Sequence, residues 1–238
     1  MSRKDEIAAN LNSVRERITA AEKAAGRAPG SVALIPVSKF HPVEDIRILG
    51  ELGVGLVGEN REQEARVKAA ALAERGPAVG IAMIGQIQSK KVNAVARWAA
   101  EVHSVDSVKV AEGLDRGVGL ALERGERTEA VLPCLVQLSA DGDTGRGGVP
   151  EAGLEAVVEA VEGAACLEMS GFMVVPPLDA DPGAVFARAR EITDAHSAEL
   201  GRTLVLSAGM SGDFEQAIAC GSDIVRVGTG VLGARPVG

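Results

Sequence analysis

The stretch ALIPVSKFHPVEDIRILGELGVGLVGEN, residues 33–60, holds the fold in miniature. ALIPVSK (33–39) is a short apolar run that ends on a lysine. Apolar residues then recur at Val43, Ile46, Leu49 and Leu52, the spacing of one helix face, before GLVGEN (55–60) resumes an extended run. Strand, helix and strand in that order make a βαβ unit, in which the helix carries the chain back so that both strands run parallel.

The same alternation extends in both directions. Towards the N-terminus, Ile7, Leu11, Val14 and Ile18 share one face of an extra opening helix. Towards the C-terminus follow IAMIG (81–85), EVHSV (101–105), VLPCLVQL (131–138), LEMSGFMVV (167–175), TLVLS (203–207) and DIVRVG (223–228). Helical stretches separate them, the clearest from about Pro182 to Leu200. Eight such strands with no proline-rich linker and no low-complexity segment predict an α/β chain that forms a single (β/α)8 TIM barrel domain over 1–238, rather than an open doubly wound sheet. Glycine-rich SADGDTGRGG (139–148), after the fifth strand, reads as a mobile loop. In such a barrel the chemistry sits where strands end, so polar residues just past those ends are the candidates.

Composition narrows the ligand. A net charge of -8 with 2% aromatic residues lacks the basic clusters and stacking rings of a nucleic-acid binder. Apolar stretches break well short of the roughly 18 residues of a membrane span. The charged N-terminus, MSRKDEIAANLNSVRERI, has no signal-peptide core, so a cytoplasmic protein is expected. Cys134, Cys166 and Cys220 form no C-x-x-C pair and read as buried free thiols. His41, His103 and His196 are too scattered for a metal site, and a small organic ligand is expected.

Lys39 admits two readings by itself. It is a rim lysine snorkelling to water, or a desolvated amine suited to a Schiff base with an aldehyde. The far end of the chain bears on the choice. After the seventh strand, SAGMSGDFEQAI (207–218) places Gly209 and Gly212 in a tight turn and Ser211 or Asp213 where a helix is capped, which makes an anion site. After the eighth, RVGTGVLGAR (226–235) brings Gly228, Gly230 and the hydroxyl of Thr229. Loops seven and eight of such barrels often hold phosphate, and closure sets the eighth strand beside the first. A reactive amine next to a phosphate cup points to an aldehyde that also carries a phosphate. Arg226, inside an apolar run, faces either the helices or the mouth, and facing inward it would reach that ligand.

With PVSKFHP (36–42), VGENREQE (57–64), IGQIQSKK (84–91), LEMSGFMVV (167–175), LSAGMSGD (206–213) and IVRVGTGVLGAR (224–235) in order along nearly the whole chain, the sequence resembles the pyridoxal phosphate homeostasis protein family, single-domain relatives of the alanine racemase barrel. The resemblance implies that Lys39 forms an internal aldimine with pyridoxal 5'-phosphate. It also implies that Ser211, Gly228 and Thr229 bind the phosphate, and that Arg226 faces the pyridine nitrogen. Asn60 and Met210 would line the pocket, although Asn60 could equally cap a helix starting at Arg61. Two places depart from the family pattern. Met83 and Gln86 stand where an aromatic and a histidine or asparagine are usual, and Arg146 stands where a lysine is usual.

The function so implied is intracellular vitamin B6 homeostasis, with delivery of the cofactor to apoenzymes that depend on it. No catalytic residue is expected, because a two-base racemase needs a tyrosine and this chain has none. A weak racemase with Lys39 as sole acid and base is the alternative. Without a second racemase domain to build the usual dimer, a monomer is expected.

Overall fold

The structure, a computed structural model, describes residues 2–75, 78–143 and 147–234. Its strands are β1 (Ala33–Pro36), β2 (Leu56–Glu59), β3 (Gly80–Met83), β4 (Glu101–Val105), β5 (Leu132–Leu138), β6 (Leu167–Val174), β7 (Val205–Ser207) and β8 (Ile224–Val227). The helices among the described residues are α1 (Arg3–Ala24), α2 (Val43–Glu51), α3 (Glu62–Glu74), α4 (Val92–Trp98), α5 (Val108–Glu123), α6 (Leu154–Glu162), α7 (Pro182–Glu199), α8 (Phe214–Ala219) and α9 (Thr229–Leu232).

All eight strands pair in parallel in the order β1-β8-β7-β6-β5-β4-β3-β2. The ring closes between β1 and β2 through a bridge from Val37 to Gly58, beside which the Ser38 amide donates to the Gly58 carbonyl at 3.0 Å. The expected eight-stranded α/β barrel is therefore observed. Two apolar clusters fill the space between the strands and the helices around them. One gathers Val102, Leu114, Leu132, Phe172 and Phe186 on the β4–β6 side, and the other Ile46, Val57, Phe214 and Val225 on the β1–β2–β8 side.

The opening helix is set by its capping box. Ser2 Oγ accepts from the Asp5 amide at 3.1 Å, and the Asp5 carboxylate accepts from the Ser2 amide at 2.9 Å. Ile7, Leu11, Val14 and Ile18 are all buried, as their spacing predicts. This helix reaches the C-terminal end of the barrel chain, where Asn10 Nδ2 donates to the Val231 carbonyl and Arg3 Nη2 to that of Leu232. The Arg3 guanidinium also grips Asp45, at the start of α2, with two bonds of 3.1 and 2.7 Å.

Several expectations need correction. The first strand ends at Pro36 instead of Lys39, because Ser38 to His41 form a turn in which the His41 amide donates to the Ser38 carbonyl. What reads as a glycine loop after β8 contains the short helix α9. Cys134 is buried, but Cys166 and Cys220 are half-buried, because Cys166 lies just before β6 and Cys220 caps the end of α8 rather than lying inside the layers. The ends of the 139–148 loop are drawn together by a Leu138–Val149 bridge, while 144–146, including Arg146, lie outside the described residues. No helix among the described residues is long and apolar enough to cross a membrane.

Candidate functional site

Lys39 is held at the mouth by an unusual piece of backbone. Phe40, next to it, has φ 68°, and it is alone among the described non-glycine residues in lying on the left-handed side. That conformation costs a non-glycine residue roughly 1–2 kcal/mol, so the surroundings must hold it in place. They do so with a buried polar cluster. The Phe40 amide donates to Glu64 Oε1 at 2.6 Å, and the Arg61 guanidinium sits 5.3 Å from the centre of the Phe40 ring. Beneath the turn, Lys68 Nζ donates to the Ser38 carbonyl at 2.8 Å and to Glu59 and Glu64 at 2.6 Å each. Ser38 Oγ adds a 2.7 Å bond to Glu59. One ammonium thus serves two carboxylates, which leaves the buried cluster with net negative charge. Burial accordingly pushes the Glu59 carboxyl above its ordinary range.

Beside this turn stand the end of β8 and, next to it, that of β7. Gly209 takes φ 92° and carries no side chain because a Cβ there would lie 2.9 Å from Phe214 Cα. Asp213 precedes α8 as its cap residue, yet its carboxylate turns back to the Met210 amide at 2.6 Å and leaves the first turn of the helix unbonded by it. The amides of Thr229 and Gly230 open α9 and have no acceptor within so short a helix.

Arg226 faces inward, against the outward alternative. Its guanidinium donates to Ser207 Oγ at 2.6 Å and to the Val174 carbonyl at 3.0 Å. No carboxylate lies within ion-pairing distance of it among the described residues. Burial lowers its pKa to about 10, which still leaves it charged near neutral pH. With only neutral acceptors in direct contact, and the carboxylate of Asp213 acting from beyond ion-pairing distance, this buried cation is receptive to an anion.

These elements enclose a cavity of about 230 Å³ whose walls include Lys39, Asn60, Met210, Ser211, Arg226, Gly228 and Thr229, together with Val37, Ile84 and Val175. All seven residues singled out in the sequence therefore meet in one place. Asn60 is not a helix cap, since α3 begins at Glu62 with Arg61 in the cap position. Its place is set by Gly85, where a Cβ would stand 2.2 Å from the Asn60 carbonyl oxygen. A second cavity, of about 210 Å³, adjoins the first across Asn60, Ile84 and Val175 and is lined by Gln86, Gln137 and Ser139. Met83, one of the two departures, is buried at the end of β3, while Gln86 donates to Asp106 at 3.3 Å.

A family model described as the N-terminal domain of alanine racemase matches residues 4–236. The pyridoxal phosphate homeostasis protein of Corynebacterium glutamicum is 53% identical over 224 residues, covering 94% of this chain and 100% of that protein. The chain belongs to the pyridoxal phosphate homeostasis protein family. Its relative from Mycobacterium tuberculosis is 42% identical over 244 residues, covering 98% of this chain and 94% of that one. The structure of PipY from Synechococcus elongatus, solved with pyridoxal phosphate bound, is 33% identical with a TM-score of 0.79, covering 95% of this chain and 100% of that chain. Alanine racemase of Clostridium difficile is 14% identical with a TM-score of 0.69 over 58% of its own length, a likeness of fold alone.

Within this homeostasis-family barrel, sequence reasoning missed the supports of the site. Lys68, Glu59 and Glu64 were not singled out, although Glu64 and Lys68 have the i, i+4 spacing of a helical ion pair. The interior partners of Arg226, Ser207 and, beyond it, His103, lie inside ordinary apolar strand runs and leave no signal in spacing.

Proposed function

We propose that this protein binds pyridoxal 5'-phosphate in the Lys39 cavity and keeps it available for the enzymes that need it. The observation that carries this reading is an amine, Lys39, and a buried cation, Arg226, whose direct contacts are Ser207 Oγ and the Val174 carbonyl, lining one cavity with Ser211, Gly228 and Thr229. The residues present fit the cofactor. Val37, Ile84 and Met210 offer apolar surface for a ring, while the hydroxyls of Ser211 and Thr229 and the first-turn amides of Thr229 and Gly230 offer donors for a phosphate. When bound, the cofactor supplies an aldehyde carbon and a π-system that can accept electrons. Lys39 would condense with that aldehyde and release water, Asn60 and Met210 would bound the ring, and Arg226 would lend its charge to the ring edge. A cation there disfavours protonation of the ring nitrogen and so weakens the electron sink. That chemistry suits a carrier better than an amino-acid enzyme.

The carrier reading extends to its setting, a cytoplasmic protein that acts as one copy of the chain and passes its cofactor to apoenzymes. A sedimentation mass of two chains would overturn the monomer. The central test is spectroscopic. Purified protein loaded with pyridoxal phosphate is expected to show the near-visible absorbance of a Schiff base, and Lys39→Ala is expected to lose it. An unchanged spectrum in that variant would refute the anchor. Turnover of L- or D-amino acids well above that of free cofactor would refute the carrier.

A further inference from the structure

The interior of the barrel, below the cavity, holds a file of polar side chains that the site itself does not account for. Arg226 on β8 donates to Ser207 Oγ on β7 at 2.6 Å, and Ser207 Oγ lies 3.3 Å from His103 Nδ1 on β4. His103 Nε2 in turn lies 2.9 Å from Glu101 Oε2. Ser207 and His103 have no exposed surface, whereas Glu101 opens towards water at the start of β4. The file therefore runs from the mouth of the barrel to its opposite end, through a region that barrels of this kind fill with apolar side chains.

The direction of each hydrogen follows from the chemistry. A guanidinium can only donate, so Ser207 Oγ accepts from Arg226 and its single proton is left for His103 Nδ1. The carboxylate of Glu101 can only accept, so His103 carries its proton on Nε2. Both ring nitrogens are then used by a neutral imidazole. Burial, with the nearby charge of Arg226, opposes protonation of His103 more than the neighbouring Glu101 favours it, so the pKa of the ring is lowered. Reversing the file would aim the bare Nε2 of His103 at the carboxylate, which is repulsive. Donation therefore runs in one direction, from Arg226 through Ser207 and His103 to Glu101.

We infer that Ser207 and His103, with Glu101 behind them, are positioning residues that fix Arg226 in the cavity and thereby set its hold on the phosphorylated ring. The second anchor of the guanidinium, the Val174 carbonyl, is backbone and fixes one nitrogen. Ser207 fixes the other, and by giving its proton to His103 Nδ1 the hydroxyl is turned so that its lone pairs face the guanidinium. The inference rests on the cofactor reading above, and the test separates the two.

Pyridoxine 5'-phosphate lacks the aldehyde, so its dissociation constant reports the cavity without the Lys39 bond, while the absorbance maximum of the pyridoxal phosphate form reports the charge beside the ring. Both are measured for the wild-type protein, Ser207→Ala, His103→Leu and His103→Asn, each checked by circular dichroism. Loss of a hydrogen bond to a charged group predicts a dissociation constant raised about tenfold or more in Ser207→Ala and His103→Leu, with a displaced absorbance maximum. In His103→Asn the Oδ1 atom replaces Nδ1 as acceptor, and recovery to within about threefold of wild type is expected. Affinities and spectra unchanged in Ser207→Ala and His103→Leu, beside a wild-type protein that binds and absorbs normally, would overturn the inference. So would a His103→Asn variant no better than His103→Leu. Should His103→Leu not fold, Ser207→Ala, the smaller change, decides. A wild-type protein that binds neither ligand would instead overturn the cofactor reading.

Discussion

Several residues of the site are fixed by the absence of a side chain rather than by its presence. Gly85 illustrates this, since its Cα packs against the backbone of Asn60, and a methyl group there would collide with the Asn60 carbonyl at 2.2 Å. Gly85→Ala is therefore expected to cost about 1–3 kcal/mol in denaturant unfolding, the range for forced overpacking. It should also weaken cofactor binding by displacing Asn60. An alanine variant with wild-type midpoint and affinity would show that the loop yields freely. The identity of Gly85 is readable in the IGQIQSKK motif, but its reason is not, because the atom it avoids is Asn60, at the end of another strand-to-helix unit. Lys39 shows the reverse. Its identity as the candidate amine is legible from its place after an apolar run, whereas the strained Phe40 beside it carries no mark in the sequence, since nothing about a phenylalanine announces a left-handed backbone.

Among the elements, α3 bears the heaviest polar load. Glu64 and Lys68 rise from it to hold the Lys39 turn, and Lys68 is the cation shared by Glu59 and Glu64. Replacing it in Lys68→Met strands two carboxylates, one of them fully buried, and breaking such a buried pair is expected to cost about 3–5 kcal/mol. The companion change Glu59→Gln in the same chain should return part of that loss, as urea unfolding of the single and double variants would measure. A double variant no more stable than Lys68→Met would place the strain elsewhere. Strand and helix order was legible because each parallel strand is covered on both sides and reads as an apolar run, while each helix shows its own period. Strand ends were less so. β1 stops at Pro36 and β7 begins only at Val205, because pairing to neighbours rather than apolar character decides where a ladder ends. Helix α9 was hidden by Gly230 within it and the glycines that cap it, Gly228 and Gly233, and what holds it is α1, through Asn10 and Arg3, from the other end of the sequence.

Taken as a whole, the molecule carries two histidines that folding keeps from their protons. Burial lowers the pKa of both His41 and His103 below the model-compound value of 6.5. Their contribution to stability is complete above that value. It is lost as pH falls below it, since the unfolded chain then binds protons that the folded chain refuses. Glu59, raised above 4.5, has the opposite sign, with stability present below its unfolded value and lost as pH rises. The melting temperature is therefore expected to fall between about pH 7 and pH 5. His103→Asn should flatten that fall and Glu59→Gln should steepen it, as thermal scans across the range would check. A profile that rises on acidification would contradict the burial of the histidines.

The closure of the barrel has a mechanical side as well. Most neighbouring strands share a ladder of several residues, but the ring narrows to a single pairing at two joints, Val37 with Gly58 between β1 and β2, and Ser207 with Ile224 between β7 and β8. The ring thus has two thin seams, one immediately beneath Lys39 and the other on the flank of β8, the strand that carries Arg226. Between the two seams β1 and β8 share a four-residue ladder, so thermal breathing there would move the amine of Lys39 and the cation of Arg226 together against the other walls. The loading dock and the hinge of this container are the same few residues.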